Sequence, residues 1–253
     1  MSENIKIEFR KNYRVELAKS LQGHYYSVTE IKANGKEKFI GYFVSVTTFL
    51  NSYPTSEHLV KWIAENGFHE SRAMRDAAGR AGTKIHAAIE NLLNGAELRE
   101  PEYTTEEWVK LESFVNWHKV YKPKVLGLEV PIFSKKGRYA GRVDCVAVIA
   151  GQLIVADWKS SANIHKSFPL QFSAYGKALE ENTTLKIDAV AALQLGAKNK
   201  DGYRWILYPD WKEKYYPVFE SVQRTWLYDN YDSLKNPKDL PILHLPTTLK
   251  LSL

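Results

Sequence analysis

The sequence predicts an α/β protein of the α+β type, in which a central mixed β-sheet is flanked by helices. Residues 124–159 alternate in hydrophobicity with a period of two, which indicates three successive strands. A helical stretch follows at 166–182, and two further apolar strands follow it at 186–196 and 203–209. Helical patterns over 56–121 precede the three strands, so the chain supplies helices for the faces of one sheet.

The chain predicts one domain over residues 1–253, because 44% of its residues are hydrophobic and no shift in composition marks a boundary. Its expected parts are a β-rich start, a helical part, a core and an extended tail that contains three prolines. These parts span 1–55, 56–121, 122–235 and 236–253.

The β-rich start predicts a hairpin, because strands at 25–32 and 37–50 flank the turn-forming pair Asn34-Gly35. The helical part predicts four segments, at 57–66, 70–81, 82–95 and 104–121. Ser56 caps the first segment, Gly95 stops the third, and Thr104 with Glu107 forms a capping box at the fourth. Residues 79–84 lie across the expected N-terminus of the third helix, where backbone N–H groups could approach a phosphate.

The core predicts strands at 124–134, 137–150 and 152–159, and then a helix at 166–182 with Pro169 in its first turn. A last helix is expected at 216–232.

Composition excludes several classes of site. The chain has one cysteine, Cys145, which rules out a disulfide framework, a cysteine-rich zinc site and a cysteine-held Fe–S cluster. There is no apolar signal core and no run long enough to span a membrane, so an intracellular protein with no membrane partner is expected. The net charge of +6 is compatible with a polyanionic partner, although many proteins without one share it.

Two acids interrupt the best strand sequence of the chain, "YAGRVDCVAVIAGQLIVADWKSS". If Ala150-Gly151 forms a two-residue turn, Asp144 lies opposite Asp157, and Arg142 lies opposite Lys159. Both acids and Lys159 then project from one face, while Cys145 projects from the other.

Like charges in facing positions weaken a sheet, whereas a bound cation reverses the sign of their interaction. Oxygen ligands of this kind suit Mg²⁺ or Mn²⁺, as one or two ions. The alternative is that one acid is protonated, or paired with Arg142 or Lys159, for structure alone. Lys159 itself could orient a water beside metal-bound carboxylates, or form a plain ion pair with Asp157.

The pattern D-x12-D-x-K from Asp144 to Lys159 resembles the signature of the PD-(D/E)xK nucleases, although Val143 stands where the family name has proline. The element "QFSAY", with Gln171 and Tyr175, is typical of the RecB-type exonuclease branch. The segment "GTKIHAAIE" resembles the helical histidine motif of that branch. The segment "SVTTFL", followed by "LVKWIAENG" and an alanine-rich helix, resembles the mitochondrial exonucleases of the branch and their phage relatives. The resemblance spans about half of the chain, residues 45–175.

This resemblance implies a restriction-endonuclease-like core with an N-terminal β and helical extension. It implies metal ligation by His86, Asp144, Asp157 and the backbone carbonyl of Trp158. It also implies that Lys159 activates water, and that Gln171 and Tyr175 contact the substrate backbone or hold the lysine and the scissile phosphate in place. From the residues alone, His86 could be an edge residue of its helix, and Tyr175 could be a buried hydroxyl bonded to Gln171.

Five further residues are candidates for the surroundings of the site or for substrate contacts: Glu90, Glu129, Arg142, Ser160 and Ser161. Glu90 could orient His86 or be a solvated helix acid. Glu129 could add a carboxylate or be a surface strand acid.

The function expected from the resemblance is a divalent-metal-dependent DNA exonuclease, with a role in DNA repair or recombination, that acts on single-stranded ends threaded through a helical arch within 56–121. Two alternatives remain: a non-catalytic DNA-binding or recombination-accessory protein, and a structure-dependent endonuclease on the same fold. The expected partner is DNA, a monomer is favoured, and the expected location is the cytoplasm of a microbial or phage-infected host.

Overall fold

A computed structural model describes residues 7–18, 20, 23–230 and 242. Within these residues lie eight strands: β1 (Asn12–Ala18), β2 (Tyr25–Ile31), β3 (Glu37–Ser45), β4 (Lys124–Ser134), β5 (Tyr139–Ile149), β6 (Gln152–Lys159), β7 (Ala189–Leu195) and β8 (Tyr203–Tyr208). The same residues form six α-helices: α1 (Val46–Phe49), α2 (Glu57–Asn66), α3 (Phe68–Leu93), α4 (Thr105–Tyr121), α5 (Phe168–Asn182) and α6 (Tyr216–Asp229). Short 3₁₀ turns lie at Leu50–Ser52 and Glu100–Glu102, and a π-helical turn, Trp211–Tyr215, precedes α6.

All eight strands belong to one mixed sheet, which confirms the predicted fold class. Strands β1, β2 and β3 are antiparallel, and β3 joins β5 in parallel. Strands β4, β5 and β6 form an antiparallel meander, β6 and β7 are parallel, and β8 closes the sheet against β7. The predicted tail over 236–253 lies outside the described residues except for Ile242.

One edge of the central strand β5 pairs with two different strands, β3 and then β6, and we call it the forked edge. Its other edge pairs with β4 over nearly its whole length. On the forked edge, Tyr139 and Ala140 pair with β3, whereas Cys145 to Ile149 pair with β6. Among the described strands, residues 141–144 therefore have no ladder partner on this edge. Asp144 lies in this gap, where no ladder hydrogen bonds to β3 or β6 occupy the edge of β5.

Each face of the sheet carries its own apolar core. The face of Val146, Leu153 and Val155 packs against α5 and α6. The face of Cys145 and Trp158 packs against α3 and α4. This alternation agrees with the predicted separation of Cys145 from Asp144 on opposite faces.

One long helix replaces two predicted ones. The segments expected at 70–81 and 82–95 form the single helix α3, Phe68–Leu93, and Gly95 follows its end with a φ of 87°. Glycine costs only about 1 kcal/mol within a helix, which packing can offset. Gly82 lies against Ser160, where an added Cβ would stand 3.1 Å from Oγ. Residues 79–84 are thus inside α3, and the helix N-terminus expected there does not exist.

The remaining helix signals are confirmed. Ser56 caps α2, and Thr104 and Glu107 form the capping box of α4. Pro169 stands in the first turn of α5. None of the helices formed by the described residues has both the length and the apolar character needed to cross a membrane.

Candidate active site

Three side chains from three elements meet at the forked edge of β5. His86 of α3, Glu129 of β4 and Asp144 of β5 each offer a ligand atom, and these atoms lie within 4.8 Å of one another. His86 Nδ1 is 3.3 Å from Asp144 Oδ2. Within the described part of the chain, this is the group of acid and histidine side chains that could hold a metal ion.

Glu129 reaches this group because of its backbone. The pairs Leu128–Cys145 and Val130–Val143 leave Glu129 opposite Asp144 across the β4–β5 ladder. The φ of Glu129 is 47°, a left-handed conformation that is rare for a residue with a side chain. Such strained residues cluster at functional sites, where the surrounding structure holds them. Arg142 Nη1 lies 3.5 Å from Glu129 Oε2, so its charge partner is Glu129.

The predicted hairpin register is confirmed for five pairs, from Ile149–Gln152 to Cys145–Ala156. The pairing stops there, so Asp144 does not pair directly with Asp157, and Arg142 does not pair with Lys159. The physical reason is that Asp144 Oδ2 accepts a hydrogen bond of 2.8 Å from the backbone N–H of Trp158. A side chain has replaced a backbone carbonyl as the acceptor, and the two strands part at this point.

The same contact places the Trp158 backbone. In an extended strand, the N–H and C=O of one residue point toward the same neighbour. Since the N–H of Trp158 points to Asp144, its carbonyl lies on the edge of β6 that faces β5. This orientation is compatible with the metal ligation implied for that carbonyl.

Asp157 lies near this group but outside it. Its side chain is 3% exposed, and Lys159 Nζ stands 2.6 Å from Oδ1 in an ion pair. The Lys159 ammonium is therefore the partner of this buried oxygen, although the contact falls short of full hydrogen-bond geometry. A buried ion pair of this kind is held at a cost in desolvation.

A chain of polar contacts runs from Asp157 to the helix behind it. Lys159 Nζ donates to Gln171 Oε1 at 3.2 Å, and Gln171 Nε2 donates to Tyr175 Oη at 2.8 Å. Gln171 and Tyr175 lie one turn apart on α5, so a single helix edge presents both. The ring of Tyr175 packs on Gly141, where a Cβ would stand 2.7 Å from Cε1. The sequence left open that Tyr175 is a buried hydroxyl bonded to Gln171, and this hydrogen bond is present. Gln171 also accepts from Lys159, so the two hydrogen bonds link Tyr175 to the lysine.

Two phenylalanines cover the lysine. Lys159 Nζ lies 4.5 Å from the ring centre of Phe168 and 5.1 Å from that of Phe172. Cation–π contacts of this kind hold an ammonium in place while it keeps its charge. The amine is therefore held between a carboxylate, an amide oxygen and two aromatic rings.

Burial and mutual charge govern the protonation of the site. Burial lowers the pKa of His86, but the Asp144 carboxylate outweighs it and raises the pKa to about 9. Burial raises the pKa of Asp157 to about 7, and the charge of Asp144 adds to this effect. Burial also acts upward on Asp144, but His86 and Lys159 hold its pKa below the usual value.

The pKa of the Glu129 carboxyl is also shifted by burial and by neighbouring charges. Burial is the main cause of its raised pKa, and the neighbouring carboxylates of Asp144 and Glu90 contribute. Glu90 lies one turn beyond His86 on α3, and its charge acts on Glu129. Four carboxylates, those of Glu90, Glu129, Asp144 and Asp157, thus lie around this site with three cationic groups, those of His86, Arg142 and Lys159. A divalent cation would relieve the repulsion between the carboxylates.

The donor set fits a hard divalent cation. Carboxylate oxygens, a backbone carbonyl and one imidazole are ligands that Mg²⁺ and Mn²⁺ accept. The convergence of Glu129 with Asp144 and the raised pKa of Glu129 both indicate a site that a bound cation would stabilise. His86, Glu129 and Asp144 would form the nearest ligands, with Asp157 beside them.

The two serines after β6 take separate positions. Ser160 Oγ faces Gly82 of α3, close to the helix turn that carries His86. Ser161 Oγ donates to the backbone carbonyl of Asn163 at 2.8 Å and so shapes the loop itself.

Sequence reasoning missed three residues that build the site. Phe168 and Phe172 flank Gln171 on α5, and their spacing of one turn could have identified them as a cover for Lys159. Gln194 of β7 donates to the backbone carbonyls of Ser161 and Ala162 and holds the loop after Lys159. A polar residue in the otherwise apolar strand "AVAALQL" was the available signal.

Comparison with known proteins finds a similarity over part of the chain. No protein-family model matches this chain. The chain is 29% identical over 153 residues to human (Homo sapiens) mitochondrial genome maintenance exonuclease 1, an alignment that covers 58% of this chain. The aligned stretch spans 43% of the length of that protein. The chain is therefore similar, at this level, to part of a protein that is named a nuclease.

Proposed function

We propose that this protein is a divalent-metal-dependent deoxyribonuclease that hydrolyses phosphodiester bonds from single-stranded ends, on a PD-(D/E)xK core. The observation that carries the proposal is the position of the buried Asp157–Lys159 ion pair beside the group of His86, Glu129 and Asp144. The similarity to a human protein named an exonuclease supports the same reaction.

The charges of the site suit this reaction. A bound Mg²⁺ or Mn²⁺ would polarise the scissile phosphate and lower the pKa of a water that attacks it. Lys159 stands where its ammonium can donate to that water or to a phosphate oxygen, and so balance the charge that grows in the transition state. Gln171 fixes the direction of the ammonium, and Tyr175 fixes Gln171.

The preference for single strands is supported by the helical part. Ser71 of α3 is fully buried, but the following residues 72–80 are all exposed, so this stretch of the helix stands away from the body. It carries Arg72, Arg75 and Arg80, and cations of this kind contact a phosphate backbone. We propose that α2 and α3 form the arch through which a strand end passes.

The function is tested with labelled DNA in four forms: linear or circular, and single- or double-stranded. The linear forms carry the label at one end, and the circles carry it internally. The expected result is cleavage of linear single strands with Mg²⁺ or Mn²⁺, none with EDTA, and intact circles. Cleaved circles would indicate an endonuclease. A protein that binds DNA but does not cleave it in the presence of Mg²⁺ or Mn²⁺ would be an accessory protein, and this result would contradict the proposal.

A further inference from the structure

A cavity of about 400 Å³ opens beside the first turn of α5. Its floor includes Pro169 and Leu170 of that turn. Its walls combine aromatic rings with cationic or imidazole groups, from Tyr53, His165, Lys166, Tyr208, Lys214 and Tyr215. The volume lies within the range of about 300–1,000 Å³ that is usual for small-ligand sites. The cavity is separate from the acid cluster at the forked edge of β5.

The charge of this cavity favours an anion. Lys166 and Lys214 are exposed at its rim, and none of the described residues that line it is acidic. Lys214 has two partners, Asp210 at 3.5 Å and the ring of Tyr215, whose centre lies 5.2 Å from Nζ. The ion pair with Asp210 is exposed and of a kind that contributes little, so an incoming phosphate can replace Asp210 at Lys214.

The aromatic residues offer surfaces for a base. Tyr208 and Tyr215 both line the cavity, and they pack edge to face with ring centres 5.3 Å apart. Nucleobases stack on such rings without regard to sequence. Lysines next to tyrosines are the combination that binds single-stranded nucleic acid.

One aromatic ring joins the cavity to the candidate active site. The ring of His165, in the cavity wall, packs edge to face on Phe168 at 5.0 Å. The same Phe168 ring lies 4.5 Å from Lys159 Nζ. A strand whose phosphate lies at Lys159 would thus place a neighbouring nucleotide at the cavity.

We propose that this cavity binds one unpaired nucleotide of the substrate strand, with its base against the tyrosines and its phosphates on Lys166 and Lys214. The proposal rests on the proposed nuclease function and adds a source of its strand selectivity. A base enters such a cavity only after it leaves its stack and its pairing partner, which costs a duplex several kcal/mol and a single strand much less.

The first test compares two double variants. Lys166→Ala/Lys214→Ala removes the cavity cations, and Lys135→Ala/Lys136→Ala removes two exposed lysines beside Glu181, at the opposite end of α5. Affinity for a labelled oligothymidylate is measured in EDTA as a function of salt. The cavity variant is expected to bind about tenfold more weakly at low salt, and its salt slope should fall by about 1.4, the value for two lost single-strand phosphate contacts. Equal affinities and slopes for the two variants would overturn the proposal.

The second test locates the base. An oligonucleotide that carries 5-iododeoxyuridine is cross-linked to the unmodified chain by irradiation, and the attached residue is identified by mass spectrometry. The expected attachment is to Tyr53, Tyr208 or Tyr215, whereas attachment only to residues outside the cavity would refute the assignment.

The two proposals fail separately. If the unmodified chain cleaves single strands but both double variants bind alike, the cavity assignment is wrong and the nuclease function stands. If the chain cleaves no DNA but the cavity variant alone loses binding, the cavity binds nucleotides and the nuclease function is wrong.

Discussion

The ammonium of Lys159 lies 2.6 Å from Oδ1 of Asp157, and both side chains are largely withdrawn from water. Neither charge is tolerable in such a place without the other, because burial of a lone ion costs several kcal/mol. The pair stands next to Asp144, whose charge raises the pKa of Asp157 further. The sheet thus concentrates negative charge at one point and places a single fixed amine beside it.

Replacement of Lys159 by alanine should affect stability in a pH-dependent way. At pH 8, Asp157 of the parent is ionised and paired, whereas the variant must bury this charge without its partner or take up a proton. We therefore expect a loss of up to about 3–5 kcal/mol in the free energy of unfolding. At pH 5, Asp157 is protonated, because its pKa of about 7 rises further without Lys159, and the loss should be much smaller. Denaturant unfolding of both proteins at the two pH values measures the difference. An equal loss at both pH values would show that Asp157 does not depend on this charge. Cleavage by Lys159→Ala at the parent rate would contradict its proposed role.

Gln171→Leu and Tyr175→Phe separate the two ends of the polar chain. Gln171→Leu removes the acceptor for Lys159 and the donor to Tyr175, whereas Tyr175→Phe removes only the final hydroxyl. We expect kcat to fall about 10–100-fold in the first variant and less than about tenfold in the second, with KM little changed, because an oriented group acts mainly in the transition state. Steady-state cleavage of labelled DNA gives both constants. A larger effect of Tyr175→Phe would mean that the hydroxyl itself contacts the substrate.

The sequence predicts those parts of the site that depend on neighbouring residues, and it fails for those that depend on contacts between distant parts of the chain. The hairpin register follows from the local turn, where Ala150 and Gly151 both have positive φ, and a two-residue turn leaves one register. The end of that ladder before Asp144 depends on the hydrogen bond of Trp158 to a side chain, which no local pattern encodes. The left-handed backbone of Glu129 likewise results from its surroundings, so the sequence left its role open.

Helix α3 is a second case in which a contact between distant residues decides the structure. Glycines at 79 and 82 lower local helix propensity, and the sequence therefore predicted two helices. The close approach of Gly82 to Ser160 is a tertiary contact that needs a small residue there. The edge position of His86 beside the apolar stripe was predictable, because Ile85, Ala88 and Ile89 are at helical spacing and are all buried.

Metal binding should release protons near neutral pH. Imidazole binds a metal only when it is neutral, but the pKa of His86 is raised to about 9, so the free protein holds a proton there at pH 7.5. Titration calorimetry with Mn²⁺ in buffers of different ionisation enthalpy should show release of about one proton at pH 7.5 and a smaller release near pH 10. In His86→Gln the release should fall by about one proton. Identical release from the two proteins would place His86 outside the metal site.

The metal-free protein should lose stability as the pH rises. The folded-state pKa values of Asp157 and His86 are both raised above the ordinary values of these groups, so the folded state binds more protons than the unfolded chain. The contribution of Asp157 is present below about pH 4 and is lost by about pH 7, and that of His86 is present below about pH 6.5 and is lost by about pH 9. Thermal unfolding in EDTA from pH 5 to pH 9 measures the trend. Addition of Mn²⁺ should raise Tm more at pH 8.5 than at pH 6, and the reverse order would contradict the assignment of these groups to the site.

Glu129→Gln tests the carboxylate whose role the sequence left open, with Glu90→Gln as its control. Both substitutions remove one carboxylate at the site. Glu129 belongs to the group with His86 and Asp144, whereas Glu90 acts on Glu129 only through its charge. If Glu129 is a ligand, its replacement should weaken Mn²⁺ binding at least about tenfold. Loss of a group that only orients a ligand already weakens metal binding by about this factor, so loss of a ligand should cost no less. Relief of repulsion should at the same time raise the metal-free Tm slightly. Glu90→Gln should change the affinity less than about threefold. Equal effects of the two variants on Mn²⁺ affinity would show that Glu129 supplies charge alone, and the ligand set would then reduce to His86, Asp144 and their neighbours on β6.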